Sequence, residues 1–379
     1  DVALVADVNL PDIINNSGDA KYNFSTTNLN GEYEKANVEI EIHKLKNPDR
    51  IFRNRLWGKP DKFLLTKDDF YENFDHDIYD DEDEFFNWEK EKRVYQTDFS
   101  TTDTSFISFE EQDNWEPGKY VFTLKTKDKN GTPVELVKYF TLFNPESDKL
   151  PLNDAFWFHL SKVSPSGGDL EGAGSFEPGE IARLFIGSAE EDVKALYEIE
   201  YDAKIIEKEW ITLNDEQVQI EIPIKEDYRG NIFVHVSFIV NNESHISTKV
   251  ISVPWSNKVL NIAFETFRNK ILPGSKEEWK LKITGPNGDS IAAELLASMY
   301  DASLDAFAAN YWGFNVHPYY NSRLNWTTDN AFQIISSNLY QEGWNTYVSR
   351  QYFYYPYINN FGFYFYGYGY INGMYYRGG

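Results

Sequence analysis

Apolar and polar residues alternate through most of the chain. Val38, Ile40 and Ile42 alternate with Glu39 and Glu41 within 37–43, and Tyr120, Phe122 and Leu124 do the same after the turn dipeptide Pro117-Gly118. A period of two puts successive side chains on opposite faces of a sheet, so each run predicts a strand with one buried face. The same pattern predicts strands over 2–10, stopped by Pro11, and over 134–143, after a turn at Asp128–Gly131. A second series covers 181–187, 194–201, 217–224, 232–240 and 245–253, at least five strands in all. Residues 28–34 are turn-like, 144–152 form a polar, proline-containing linker, and Pro254-Trp255 closes the second series. Pro-Gly precedes a strand at Pro117, Pro178 and Pro273, which points to three related modules.

The pattern is most complete over 271–307. After Pro273-Gly274, Trp279, Leu281 and Ile283 alternate with charged residues. The Asn287-Gly288 step supplies a turn, and Ala293, Leu295, Ala297 and Met299 share one face of a second strand over 291–299. Asp301 is placed to cap a helical turn through the N–H groups of Ser303 or Leu304. Pro273, Gly274, Glu294, Asp301 and Leu304, together with the Met299-Tyr300-Asp301 step, resemble the proline-glycine, alanine-glutamate and aspartate-x-x-leucine pattern of the alpha-2-macroglobulin family, with the Bacteroidota form the nearer likeness.

The resemblance covers most of residues 1–312 and implies an all-β fold of tandem immunoglobulin-like macroglobulin sandwiches. On that basis 1–148 is a first sandwich with an acidic insertion at about 50–93, and 152–255 a second. Residues 256–312 begin a third, and 313–379 occupy the bait-region position. The family traps proteases when its bait loop is cut, so the resemblance implies proteases as partners, no catalytic activity of its own, and a cell-envelope location at the periplasm or outer-membrane surface.

Composition narrows the chemistry. A net charge of −24 disfavours phosphate backbones and anionic membranes, and no apolar run approaches a membrane span. The absence of cysteine excludes disulfides and thiol chemistry, including an internal thioester, from these residues. Position 1 carries neither the basic nor the apolar segment of a signal peptide. The six histidines, at 43, 76, 159, 235, 245 and 317, lack metal-ligand spacing, and no nucleotide or hydrolase motif is present. We therefore expect neither catalytic residues, nor a bound metal, nor a cofactor. Seven of the ten residues from Asp75 to Glu84 are acidic, but without an EF-hand spacing they predict a solvated loop rather than a calcium site.

The C-terminal segment departs from this pattern. Residues 352–376 hold 14 aromatics in 25 positions, among them Tyr352, Tyr354, Tyr355, Tyr357, Phe363, Tyr364, Tyr366, Tyr368 and Tyr370. So much apolar surface calls for a partner or a fold-back. Two readings follow: a bait-like loop, or a docking element for another envelope protein, possibly leading into a plug domain like that of TonB-dependent receptors. Glycan stacking on Trp312, Trp326 or Trp344 is a third, weighed against simple packing.

Overall fold

The computed structural model describes residues 4–16, 20–102, 104–109, 111–163, 169–170, 174–266, 270, 272, 274–286, 288, 295, 304–305, 316–328, 351–353, 368–371 and 374–377. The fold is all-β, with several sheets. It divides into two compact units, Asp1–Ile334 and Ile335–Gly379.

In the first unit the opening strands are β1 (Leu4–Val8), β2 (Ile13–Asn15), β3 (Tyr22–Asn28) and β4 (Asn37–Leu45). A short helix, α1 (Lys67–Tyr71), precedes β5 (Lys90–Ser100), β6 (Phe106–Ile107), β7 (Gly118–Lys127) and β8 (Pro133–Phe143). The order β1-β3-β6 makes a three-stranded sheet and β2-β8-β7-β4-β5 a five-stranded one. Both sheets contribute to one buried cluster, Leu4, Val8 and Phe24 from one and Ile40, Ile42, Tyr120, Phe122, Leu124 and Phe140 from the other. They therefore pack face to face as a sandwich. Pro11 separates β1 from β2, and between them the chain passes from one sheet to the other, where β2 pairs with β8 in parallel.

The second sandwich is built from β9 (Trp157–Val163), β10 (Asp169–Leu170), β11 (Ile181–Ser188), β12 (Val193–Tyr201), β13 (Lys204–Leu213), β14 (Glu216–Pro223), β15 (Ile232–Val240) and β16 (Glu243–Ile251). Its sheets run β10-β9-β11-β14 and β13-β12-β15-β16 around a core that includes Leu184, Ile186, Tyr197, Ile199, Val234 and Val236. Each such fully buried side chain contributes about 2 kcal/mol. Asn241 and Asn242, at φ 49° and 57°, form the two-residue turn between β15 and β16 that the right-handed twist of a hairpin favours.

The linker between the sandwiches is fastened at both sides. Phe143, Leu150, Trp157 and Phe185 form a small core of their own at the junction. Trp157 Nε1 donates to Gln217 Oε1 at 3.0 Å, while Gln217 Nε2 donates to the carbonyls of Asn144 and Ser147 at 2.8 and 2.7 Å. A Cβ on Gly187 would stand 2.5 Å from a Leu150 methyl, so only glycine lets the linker lie this close to β11.

Beyond the second sandwich, β17 (Asn261–Thr266) pairs antiparallel with β18 (Lys280–Thr284). The strand expected after Pro273-Gly274 thus has its described partner upstream. The downstream strand expected over 291–299 lies outside the described residues, apart from Leu295. In the second unit, β19 (Tyr368–Ile371) pairs antiparallel with β20 (Met374–Arg377).

Candidate functional site

The outer face of the β13-β12-β15-β16 sheet carries a row of polar side chains one residue per strand. Lys208 on β13 lies opposite Glu198 on β12, Glu198 opposite His235 on β15, and His235 opposite Thr248 on β16. Cross-strand neighbours of this kind stand close enough to bond one another. Lys208 Nζ pairs with Glu198 Oε1 at 3.2 Å, and His235 Nδ1 lies 2.8 Å from Thr248 Oγ1. Glu200 is two residues along β12 on the same face, and His235 Nε2 donates to its Oε2 at 2.9 Å.

A surface row of this composition would ordinarily be solvated, yet Glu198 is 2% exposed and Glu200 fully buried. The cover comes from residues 316–328. Glu200 accepts hydrogen bonds from Arg323 N–H at 2.9 Å, Ser322 Oγ at 2.8 Å and Leu324 N–H at 3.4 Å. Trp326 Nε1 donates to Glu198 Oε2 at 2.8 Å, and the Lys208 ammonium lies over its ring. Burial pushes the Glu200 carboxyl up, but the donors from Arg323, Ser322, His235 and Leu324 outweigh it and hold the group below its ordinary value.

The same strap is held at a second point. Tyr320 N–H donates to Gly230 O at 2.6 Å, Trp255 Nε1 donates to Pro318 O at 2.9 Å, and the rings of Trp255 and His317 stack. Gly230 has φ +93°, and a Cβ there would meet Pro318 O at 2.7 Å. Its neighbour Arg229 is buried and bonds Glu226, Glu177, Ser256 and the Pro254 carbonyl, which fixes the turn that presents Gly230. The site is therefore a clamp for a polypeptide. Its groups are saturated with hydrogen bonds to the strap, an arrangement for holding a chain in place rather than for turning over a substrate.

Of the expected site residues, some are described and others are not. Gly274 sits at φ +77° in a turn closed by Ser275 N–H to Leu272 O, and Leu304 is exposed in a short helical turn with Asp305. Pro273, Glu294 and Asp301 lie outside the described residues, as do Tyr354, Tyr355, Tyr357, Phe363, Tyr364, Tyr366, Trp312 and Trp344. Tyr352 is 78% exposed, and Tyr368 and Tyr370 belong to β19. Trp326 is tied to Glu198 through its Nε1 and stays 45% exposed. Glu198, Glu200 and Arg229 were not singled out from the sequence. The available signal was two glutamates at alternate positions of an apolar strand, which reads as an ordinary solvated face.

In the acidic run Asp75, Asp81, Asp83 and Glu84 are exposed, as expected of a solvated loop, and several of its carboxylates are ion-paired. Asp77 is buried and paired with Arg53, Asp80 and Asp81 pair with Lys59, and Glu82 pairs with Lys67 at 2.7 Å. Asp77 is the buried member, while Asp80 and Asp81 pair with Lys59 at the surface. A groove of about 870 Å³ opens on the first sandwich, lined by residues of β4, β7 and β8 and their neighbours. Its four lysines, Lys35, Lys125, Lys127 and Lys129, face four carboxylates, so it favours neither charge of ligand.

Residues 171–306 match the alpha-2-macroglobulin bait region domain. That match supports an alpha-2-macroglobulin relationship, and the matched segment ends ten residues before the described strap begins at Val316. Among solved structures, the native conformation of E. coli alpha-2-macroglobulin aligns over 74% of this chain and 16% of its own, at 13% identity and TM-score 0.26. Salmonella alpha-2-macroglobulin reacted with methylamine aligns over 72% and 15%, at 12% identity and TM-score 0.25. Trypsin-activated alpha-2-macroglobulin from E. coli aligns over 75% and 19%, at 11% identity and TM-score 0.22. The chain spans less than a fifth of the length of these proteins. A search of curated proteins returns no match.

Proposed function

We propose that the chain is a non-catalytic part of an alpha-2-macroglobulin-like protease trap of the cell envelope. The observation that carries this reading is the bait-region-domain match over 171–306. In this reading the segment beyond the strap, at 339–379, is the bait that a protease cuts, and the clamp fixes the chain leading into it. The domain arrangement proposed with it is two sandwiches over 1–148 and 152–255, the start of a third over 256–312, and the bait-like segment from 313. Aromatic residues crowd that last segment, which suits cleavage by a chymotrypsin-like protease.

Limited chymotrypsin digestion of the full chain tests the proposal. Early cleavage confined to 339–379, with a change in hydrodynamic radius while the sandwiches stay intact, is the expected result. Resistance of that segment, or first cuts within the sandwiches, would overturn it. Resistance accompanied by retention of an envelope protein on the intact chain, lost on truncation after Asn338, would favour the docking reading, for which the exposure of Tyr352 and Phe353 speaks.

A further inference from the structure

The stretch between β4 and β5 reaches from the first sandwich to the second. At its root Lys46 N–H donates to Glu89 O at 2.9 Å, which continues the β4–β5 pairing, and Phe85 packs on Tyr139 of β8 at 5.0 Å with the Lys119 ammonium over its ring. Asn47 Nδ2 donates to Pro151 O at 3.2 Å and Asn153 Nδ2 to Pro48 O at 3.3 Å, so the root is also tied to the linker. Farther along, the Arg53–Asp77 ion pair and the bond from Arg53 N–H to His76 O at 2.9 Å close the stretch on itself.

Its far side meets two turns of the second sandwich. Arg53 Nη1 donates to Asn241 O at 3.3 Å, and Asn54 donates to Glu243 from its N–H, at 3.2 Å, and from its side chain. Both acceptors stand at the β15–β16 turn. Asn241 Nδ2 in turn donates at 2.6 Å to Glu190 Oε1 in the β11–β12 turn, and His76 Nδ1 lies 3.8 Å from the same oxygen. The insertion thus brings a guanidinium, an imidazole and an amide to a carbonyl and two carboxylates.

These contacts differ in kind from those of the cores. Among the described residues, none of 50–88 belongs to the buried apolar clusters of either sandwich or of their junction. The junction cluster itself is small, Phe143, Leu150, Trp157 and Phe185. Two domains joined by a linker and a small interface ordinarily move relative to one another, and a large apolar interface is what stops them. A second attachment, made by residues outside that cluster, removes the freedom by another route. Because it consists of hydrogen bonds and charges that water can also satisfy, each bond adds little and the set can part without disturbing a core.

We propose that the insertion is a latch that fixes the angle between the two sandwiches and opens while both stay folded. Closed, it couples Arg53, Asn54 and His76 to Asn241, Glu243 and Glu190. Open, those groups are hydrated and the sandwiches pivot about the linker. The proposal is independent of protease trapping, because it involves neither the strap nor the aromatic segment.

The test is a distance measurement between the sandwiches in the full chain. The sequence holds no cysteine, so Lys129→Cys on the first sandwich and Lys204→Cys on the second, both exposed, take one spin label each for pulsed double electron resonance. With the latch unaltered, one narrow distance distribution is expected. Glu190→Ala with Glu243→Ala removes the carboxylates that Asn241 and Asn54 bond, and should add a broad second component, the ratio of open to closed chains rising at least about tenfold. Asn54→Ala with Glu190→Ala attacks the latch from its other side and should do the same. High salt should shift the distribution in that direction too, since Arg53 and His76 face carboxylates. A broad distribution with the latch unaltered would overturn the proposal, as would a narrow one kept in both variants, which would leave the junction alone to set the angle. Amide exchange in the two sandwich cores should match the unaltered chain; lost core protection in both variants would show that the latch cannot open by itself, and would overturn the proposal as well.

Discussion

At position 200 a carboxylate points away from the sandwich core and is still sealed from solvent, because three donors of the strap and one of His235 converge on it. Charge-assisted hydrogen bonds to a buried acceptor are strong, and their loss leaves donors without equivalent partners. Glu200→Gln keeps the shape and removes the charge. It should lower stability by about 1–3 kcal/mol in urea unfolding and speed hydrogen exchange at the Arg323 and Leu324 amides. Unchanged exchange at those amides would show that Glu200 does not hold the strap. The pH dependence has a definite sign. The Glu200 carboxyl is held below its ordinary value, so its contribution is present at neutral pH and is lost as pH falls through the folded value. Sequence could not single out Glu200, since burial there depends on residues more than a hundred positions away.

Among elements, those with one apolar face were legible and those without were not. The strands at β4, β7, β8, β11, β12, β14, β15 and β16 follow the alternation closely, because each presents one face to a core. β5 and β13 escaped notice for a common reason. Both are edge strands rich in Lys and Glu, a composition that discourages pairing with other chains and also hides the strand pattern. The ion pairs of the acidic run were hidden for a related reason: its cationic partners Arg53, Lys59 and Lys67 lie up to 24 residues away and join it only by folding. Arg53→Met therefore leaves Asp77 buried without its partner, a change that costs about 3–5 kcal/mol or releases the whole insertion. Hydrogen exchange should quicken across 50–88 and at the β15–β16 turn, while the two sandwich cores keep their protection. Unaltered exchange in 50–88 would argue against ionic anchoring.

At the scale of the molecule, the junction between the sandwiches contains a titratable group with no charge to match it. His159 sits against Phe143, Trp157 and Phe185, and its Nε2 has no hydrogen-bond partner among the described residues. Burial first, and then Lys249, lowers its pKa to about 4 from the ordinary 6.5. The unfolded chain therefore takes up this proton before the folded chain does. Stability should fall by about 3 kcal/mol as pH drops from above 6.5 to about 4, and His159→Leu should flatten that part of the profile. Urea unfolding across that range measures it, and an unchanged slope in the variant would place the acid sensitivity elsewhere. The sequence by itself determined the all-β class, the two series of strands and the turns that divide them, because alternation and Pro-Gly punctuation are local properties that each segment carries alone. Only the tertiary structure decided what the polar positions do. Strap on Glu200, Arg53 on Asp77 and His159 at the junction each join groups distant in sequence, and whether a charged side chain is solvated, paired or buried depends on the surface that the rest of the fold lays over it.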